Sequence, residues 1–231
     1  MADFSRQLDI IPPHALVYPV HCIGLGGIGS NTAFYLRKMG FSRFVLWDHD
    51  IVEAHNIPSQ HFFSSDGGRS KPHAMEDQLK AALDAESVIV QKGKFTKDCE
   101  LSGIVVAGVD SMASRKEIWQ SVRSAKNVVP LYIDGRIGVQ WDDDEGKVTG
   151  EFIEVFTIIP ARMQDIELYE EHMFDDEDAA PLRCSAQAVA YIGAFIAGFI
   201  AANIRKWVTS MAYHRYILYD CLTNQVLIAT N

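Results

Sequence analysis

The sequence predicts an α/β fold: a doubly wound, mostly parallel sheet with an antiparallel extension and a C-terminal helix plus hairpin. Three observations carry that expectation. An apolar run (Val20, Cys22, Ile23) enters the turn Gly24-Leu25-Gly26-Gly27-Ile28-Gly29-Ser30, continues as a helical pattern, and returns as a second apolar run, Phe44–Trp47, ending in Asp48-His49-Asp50. Apolar runs and helical patterns then alternate as far as Gly135, as parallel strands joined by crossover helices require. Beyond Gly135 the pattern changes to paired strands and one long apolar helix.

The elements follow in order from periodicity. Strands are expected near Tyr18–Ile23, Arg43–Trp47, Ser87–Gly93, Ile104–Ala107 and Val128–Gly135, with helices over Ser30–Met39, Pro72–Asp84 and Met112–Ser124 between them. Arg136–Gln140 and Gly150–Ile158 read as antiparallel strands joined by the acidic turn Asp142-Asp143-Asp144-Glu145-Gly146. Ala161–Leu182, carrying Asp175-Asp176-Glu177-Asp178, reads as a mobile crossover segment. Ala186–Val208 reads as a helix whose Ala and Gly content suits close packing, closed by Asn203-Ile204-Arg205-Lys206, a charge pattern fitting a helix C-terminus. Tyr216–Cys221 and Gln225–Ala229 flank Leu222-Thr223-Asn224 as a hairpin. The organisation expected is one unit over 1–231, with a nucleotide-binding half at 1–135 and the antiparallel strands, crossover, apolar helix and hairpin at 136–231.

Composition narrows the function classes. The 231 residues can bury a substantial core. A net charge of -9, with no basic stripe, argues against a nucleic-acid surface, because phosphate contacts need clustered Lys and Arg. The polar stretch Met1–Ile10 lacks the apolar centre of a secretory signal. The uninterrupted apolar run Ala188–Ala202 falls short of the roughly 20 residues needed to cross a bilayer, so no membrane role is expected. Four cysteines, at 22, 99, 184 and 221, show no CxxC spacing, which disfavours structural zinc and fits a reducing cytoplasm.

The chemistry centres on the glycine turn. Glycines at 24, 26, 27 and 29 let the backbone approach a phosphate, while the following helix offers free N–H groups and a positive dipole end. Asp48 follows at about the spacing where a carboxylate meets a ribose hydroxyl. Alone, this fits NAD or flavin binding as well as ATP. The polar segment Ile51-Val52-Glu53-Ala54-His55-Asn56-Ile57-Pro58-Ser59-Gln60, leading into Gly67-Gly68-Arg69-Ser70-Lys71-Pro72-His73-Ala74, is something hydride-transferring proteins do not generally need. These stretches resemble the GxGGxGS, DxDxVxxxNLxRQ and GxxKxxA signatures of the ThiF/MoeB and ubiquitin-activating-enzyme-like adenylyltransferases. Phe4-Ser5-Arg6-Gln7 resembles their YxRQ opening, Gly108-Val109-Asp110-Ser111-Met112-Ala113-Ser114-Arg115 resembles their TDnxxxR, and Arg183-Cys184-Ser185 falls where they place a cysteine.

That resemblance implies a Rossmann-like fold and ATP- and Mg2+-dependent adenylation of the C-terminal carboxylate of a ubiquitin-like or sulfur-carrier protein, or a peptide, by a cytoplasmic homodimer. It implies that Lys71 contacts phosphate, Asp110 holds magnesium, and Asn56 and Gln60 sit beside the phosphates. It further implies that Arg6 reaches a partner subunit's ATP site, that Arg115 lies by the nucleotide, and that Cys184 takes up the activated group. Asp48 suits the ribose, and Asp50 either shapes the next loop or assists the metal. For Asp110 a helix N-cap role stands beside the metal role, and for Cys184 an inert buried thiol stands beside the covalent one. Ser59 stands where the family has arginine, with Arg69 the nearest substitute. A nucleotide-binding scaffold without turnover and an NAD-dependent oxidoreductase are the alternatives.

Overall fold

The computed structural model describes residues 3–83, 87–178 and 189–228, with Ser87 and Lys92 described by backbone alone. Its centre is an eight-stranded sheet in the order β3-β2-β1-β4-β5-β6-β7-β8. The strands are β1 Val20–Ile23, β2 Arg43–Asp48, β3 Ser87–Lys92, β4 Ile104–Ala107, β5 Leu131–Asp142, β6 Lys147–Ile158, β7 Tyr216–Asp220 and β8 Gln225–Ile228. The first five are parallel, and the pairings β5–β6, β6–β7 and β7–β8 are antiparallel. β1 and β4 are buried throughout, as strands covered on both faces must be.

Among the described residues, five α-helices cover the two faces: α1 Gly29–Met39, α2 Lys71–Ala82, α3 Met112–Ser124, α4 Met163–Glu171 and α5 Ala190–Val208. Side chains alternate across β1, so Val20 and Cys22 join a core with α1, α2 and α5, whereas Ile23 joins one with α3 and α4. Gly40, at φ +109°, ends α1 by donating its N–H to the Arg37 and Leu36 carbonyls. Among the described residues, no helix is long and apolar enough to cross a membrane.

Three expectations need correction. Val128–Gly135 and Arg136–Gln140 are not separate strands: β5 runs unbroken through Gly135, pairing with β4 in its first third and with β6 along nearly all its length. A Cβ on Gly135 would lie 3.0–3.1 Å from Ile28, Ile196 and Ile200, tighter than ordinary contact, so this glycine marks close helix packing rather than a break. The segment Ala161–Leu182, expected to be mobile, contains α4. Ile166 and Tyr169, three apart on one helix face, are buried in the second core, each contributing about 1.5–3 kcal/mol. Finally, Ser111 caps α3, its side chain accepting the Ser114 N–H, so the capping role considered for Asp110 belongs to its neighbour. Elsewhere the boundaries move by one to three residues, and residues 84, 179–182, 186–188 and 229 of the expected elements lie outside the described residues.

Candidate functional site

The strand order reverses between β1 and β4, and at such a switch point a crevice opens at the carboxyl ends of the strands. Gly24 leaves β1 there at φ +84°, and Gly108 leaves β4 beside it. The two loops touch so closely that a Cβ on Gly24 would lie 2.7 Å from the Gly108 carbonyl oxygen. A Cβ on Gly29 would lie 1.8 Å from the Gly24 carbonyl oxygen, so none fits there unless the backbone shifts. Gly26 and Gly27 differ in purpose. The space where their Cβ atoms would stand is bounded by the Gln60 amide nitrogen at 4.0 Å and the Ser59 carbonyl oxygen at 3.2 Å, so they bring the residue 53–60 loop against the turn.

Asp48 braces this turn. Its Oδ2 accepts the Leu25 N–H at 2.7 Å and its Oδ1 accepts the Asp50 N–H at 2.8 Å. Asp50 in turn receives the Lys71 ammonium at 2.8 Å, while the Lys71 N–H donates to the Asp50 carbonyl at 3.0 Å. Lys71 is the first residue of α2 and only 5% exposed. A lysine buried this deeply needs an anionic partner, and Asp50 supplies one whose carboxylate remains half exposed. Burial pushes the Asp50 carboxyl up, but the hydrogen bond and charge of Lys71, with His49, outweigh it and leave Asp50 below the usual carboxylate range. Side-chain ligand atoms of Asp48, His49 and Asp50 lie within 4.8 Å of one another, yet both carboxylates are already engaged as described.

Asn56 is buried, and its Oδ1 accepts the Glu53 N–H at 3.0 Å, so it shapes the 53–60 loop. Gln60 follows with a buried Oε1 that has no hydrogen-bond partner among the described residues. Arg69, the candidate substitute for the missing arginine, is engaged with Asp77 at 2.6 Å and Asp66 at 3.5 Å. Asp110 is exposed just past β4, level with the glycine turn because Gly108 packs on Gly29. Gly24, Gly26, Gly27, Gly29, Asp48, Asp50, Asn56, Gln60, Lys71 and Asp110 therefore gather at one end of the sheet.

Arg115 and Arg6 do not join them openly. Arg115, expected beside the nucleotide, is instead buried and donates from Nε to both oxygens of Asp134, at 3.1 and 3.2 Å, in an interior ion pair. Arg6 is exposed in a short 3-10 turn, Ser5–Gln7, anchored by the Gln7 side-chain amide donating to the Met39 carbonyl at 2.7 Å. That is the far end of α1 from the glycine turn, about 16 Å away at 1.5 Å rise per residue, so Arg6 stands apart from the crevice. Cys184 lies outside the described residues.

Sequence reasoning missed Asp134, Arg136, Tyr169 and Asp176. Asp134 and Arg136 share a strand face with Tyr132, a period-two signal concealed by placing a strand boundary between them.

Comparison with known proteins adds an independent line. The ThiF family model matches residues 16–230. Mouse ubiquitin-like modifier-activating enzyme 5 is 40% identical over 77 residues, covering 32% of this chain and 19% of that protein. The Escherichia coli sulfur carrier protein ThiS adenylyltransferase is 33% identical over 102 residues, covering 42% of this chain and 41% of that protein. The aligned regions thus span well under half of either relative. Escherichia coli tRNA N6-threonylcarbamoyladenosine dehydratase, solved in complex with ATP, superposes with a TM-score of 0.65 at 18% identity over 90% of this chain and 93% of that one, a likeness of fold.

Proposed function

The chain belongs to the ThiF family, and from that premise we propose that it uses ATP and magnesium to adenylate the C-terminal carboxylate of a separate ubiquitin-like or sulfur-carrier protein, or of a peptide. A carboxylate oxygen attacks the α-phosphorus, the bond to the bridging oxygen of pyrophosphate breaks, and an acyl-adenylate and pyrophosphate result. The observation that carries this reading is Lys71: a buried ammonium beside the glycine turn, held by a partly exposed aspartate. A nucleotide phosphate entering the crevice offers that ammonium a second anion, and charge moving from the α- to the β-phosphate can be followed by its flexible stem.

The donor set fits the remaining groups. Asp110 presents an exposed carboxylate, the hard oxygen ligand that magnesium prefers to share with substrate phosphates. When bound, the ion would neutralise phosphate charge and orient the leaving pyrophosphate. Gln60, whose Oε1 has no partner among the described residues, lies beside Gly26, and Asn56 shapes the loop that carries it. Asp48, which already braces the turn, suits the ribose. Arg6, remote from its own crevice, completes a partner's site in a homodimer, where its fork meets phosphate oxygens.

ATP–pyrophosphate exchange with candidate carrier proteins tests the proposal. Wild-type protein should exchange label only when a free carrier carboxylate is present, and Lys71→Met or Asp110→Asn should abolish exchange in folded protein. Undiminished exchange in either variant would overturn the site assignment. A second reading, nucleotide binding without turnover, is favoured by Ser59, because Arg69 is committed to Asp77 and Asp66. ATP binding without exchange for any carboxylate would select it. NAD binding without ATP binding would reject both.

A further inference from the structure

Directly beneath the Asp110 loop lies a buried ionic cluster. Asp134 is fully buried at the level of Ala107, the last residue of β4. Besides the Arg115 Nε–H it accepts the Arg136 Nε–H at 2.8 Å and the Tyr169 hydroxyl at 3.0 Å, and Tyr169 is hydrogen-bonded to Tyr132 at 2.8 Å. Replacing a buried ionic cluster by apolar residues is often neutral or stabilising, so the cluster's contribution is better sought in fixed geometry than in stability.

The geometry is specific. From the Asp134 carboxylate, Arg115 reaches upward, its Nη2 donating to the Gly135 carbonyl at 3.1 Å and its Nη1 lying 3.5 Å from the Ser111 carbonyl, next to Asp110. Arg136 reaches the other way: its Nη1 donates to the His172 carbonyl at 2.8 Å, and its guanidinium covers the Phe156 ring at 4.5 Å. His172 closes α4, and the chain leaving it returns to the site. Asp176 accepts the Met112 and Ala113 N–H groups at 2.5 and 3.0 Å, and Asp175 pairs with Lys116 at 2.5 Å. A closed circuit therefore runs from Ser111 through Arg115, Asp134, Arg136 and His172 to Asp176, and back to the helix that begins two residues after Asp110.

Resting on the adenylation reading above, we propose that Asp134 is a positioning residue for Asp110: through Arg115 it fixes the loop carrying that carboxylate, and through Arg136 it couples the loop to the 172–178 segment. The Asp110 loop and that segment are then held as one unit against the start of α3. The orientation of a ligand carboxylate depends on the groups that hold it, and loss of such outer partners typically weakens metal affinity or activity by about 10–100-fold.

The test measures ATP affinity by calorimetry, with excess EDTA and again with excess magnesium, in wild type, Arg115→Lys and Asp134→Asn. Lysine keeps a positive charge beside Asp134 but cannot span Asp134, Gly135 and Ser111 together. Both variants should keep ATP affinity in EDTA within about twofold while the tightening produced by magnesium shrinks by roughly tenfold or more. Hydrogen exchange at the Met112 and Ala113 amides should quicken in the same variants. Folded variants retaining the full magnesium effect would overturn the inference. Should Asp134→Asn not fold, Arg115→Lys alone decides. A wild type whose ATP affinity ignores magnesium would instead bring down the metal role of Asp110 before any variant is compared.

Discussion

Gly29→Ala is the most direct perturbation of the turn. The new methyl would stand 1.8 Å from the Gly24 carbonyl oxygen, which must retreat by about 1.6 Å to reach ordinary contact. It has little room to do so. Gly24 is held by its N–H bond to the Trp47 carbonyl at 2.8 Å, and its α-carbon already faces the Gly108 carbonyl. Overpacking of this kind costs roughly 1–3 kcal/mol, at the upper end where neighbours cannot yield, and alanine's better helix propensity returns up to about 1 kcal/mol. The net loss is about 2 kcal/mol, a fall in Tm of roughly 4–8 °C for a chain of this size. Because the displaced carbonyl belongs to the turn proposed to face the phosphates, ATP affinity should fall by at least about tenfold, the equivalent of 1.4 kcal/mol. Gly138→Ala is the control, since nothing lies within 4 Å of its Cβ position and its φ is ordinary for any residue; its stability should stay within about 0.5 kcal/mol of wild type. Thermal melts and calorimetric titration with ATP read both variants. A Gly29→Ala protein as stable as Gly138→Ala would refute the packing argument, and one destabilised but binding ATP normally would separate the turn from the nucleotide.

Two further perturbations isolate single groups. His21 is buried with an unpartnered Nδ1, and burial lowers its pKa from 6.5 to about 4; because the folded value is depressed, the unfolded chain takes up the proton first, and stability present above pH 6.5 is lost as pH falls toward 4. The loss approaches about 3 kcal/mol, and urea unfolding of His21→Leu should show correspondingly less pH dependence over that window; an unchanged slope would count against His21 as its source. Ser59→Arg should leave stability within about 0.5 kcal/mol, because Ser59 is only half-buried and its closest contact with Gly27 is through backbone oxygen. If a missing cation limits turnover, the variant should raise the exchange rate by about tenfold, on the scale of one charge-assisted hydrogen bond, and a rate at or below wild type would show that the limitation lies elsewhere.

Much of the fold was legible because its signals are local. Apolar runs of four to six residues, a glycine turn and helical spacing depend on neighbours in sequence, so β1, α1, β2, β4 and α3 were placed nearly where they stand. The errors arose where a local sign has two physical causes. Gly135 looked like punctuation, yet its lack of a side chain answers Ile28, Ile196 and Ile200 across the sheet face, and spacing alone cannot distinguish a turn from a close approach. The acidic run after α4 looked like solvated loop, but Asp175 and Asp176 are held by Lys116 and by the α3 backbone some sixty residues away.

The same distinction explains the site. Residues proposed to approach a ligand follow the spacing of the turn and the adjoining loops, so Gly24, Gly29, Asp50, Lys71 and Asp110 could be picked out in sequence. Residues whose task is to hold those groups still are selected by three-dimensional fit and leave only generic traces, such as a charged pair on an interior strand. Arg115 shows how the two classes become confused. It stands at a motif position and carries the charge a phosphate would want, but its guanidinium is already shared among Asp134, Gly135 and Ser111. For it to contact nucleotide, Asp134 would have to be left buried without one of its two cations, which is costly. Its motif position is better explained by what it does to the Asp110 loop than by direct contact with nucleotide.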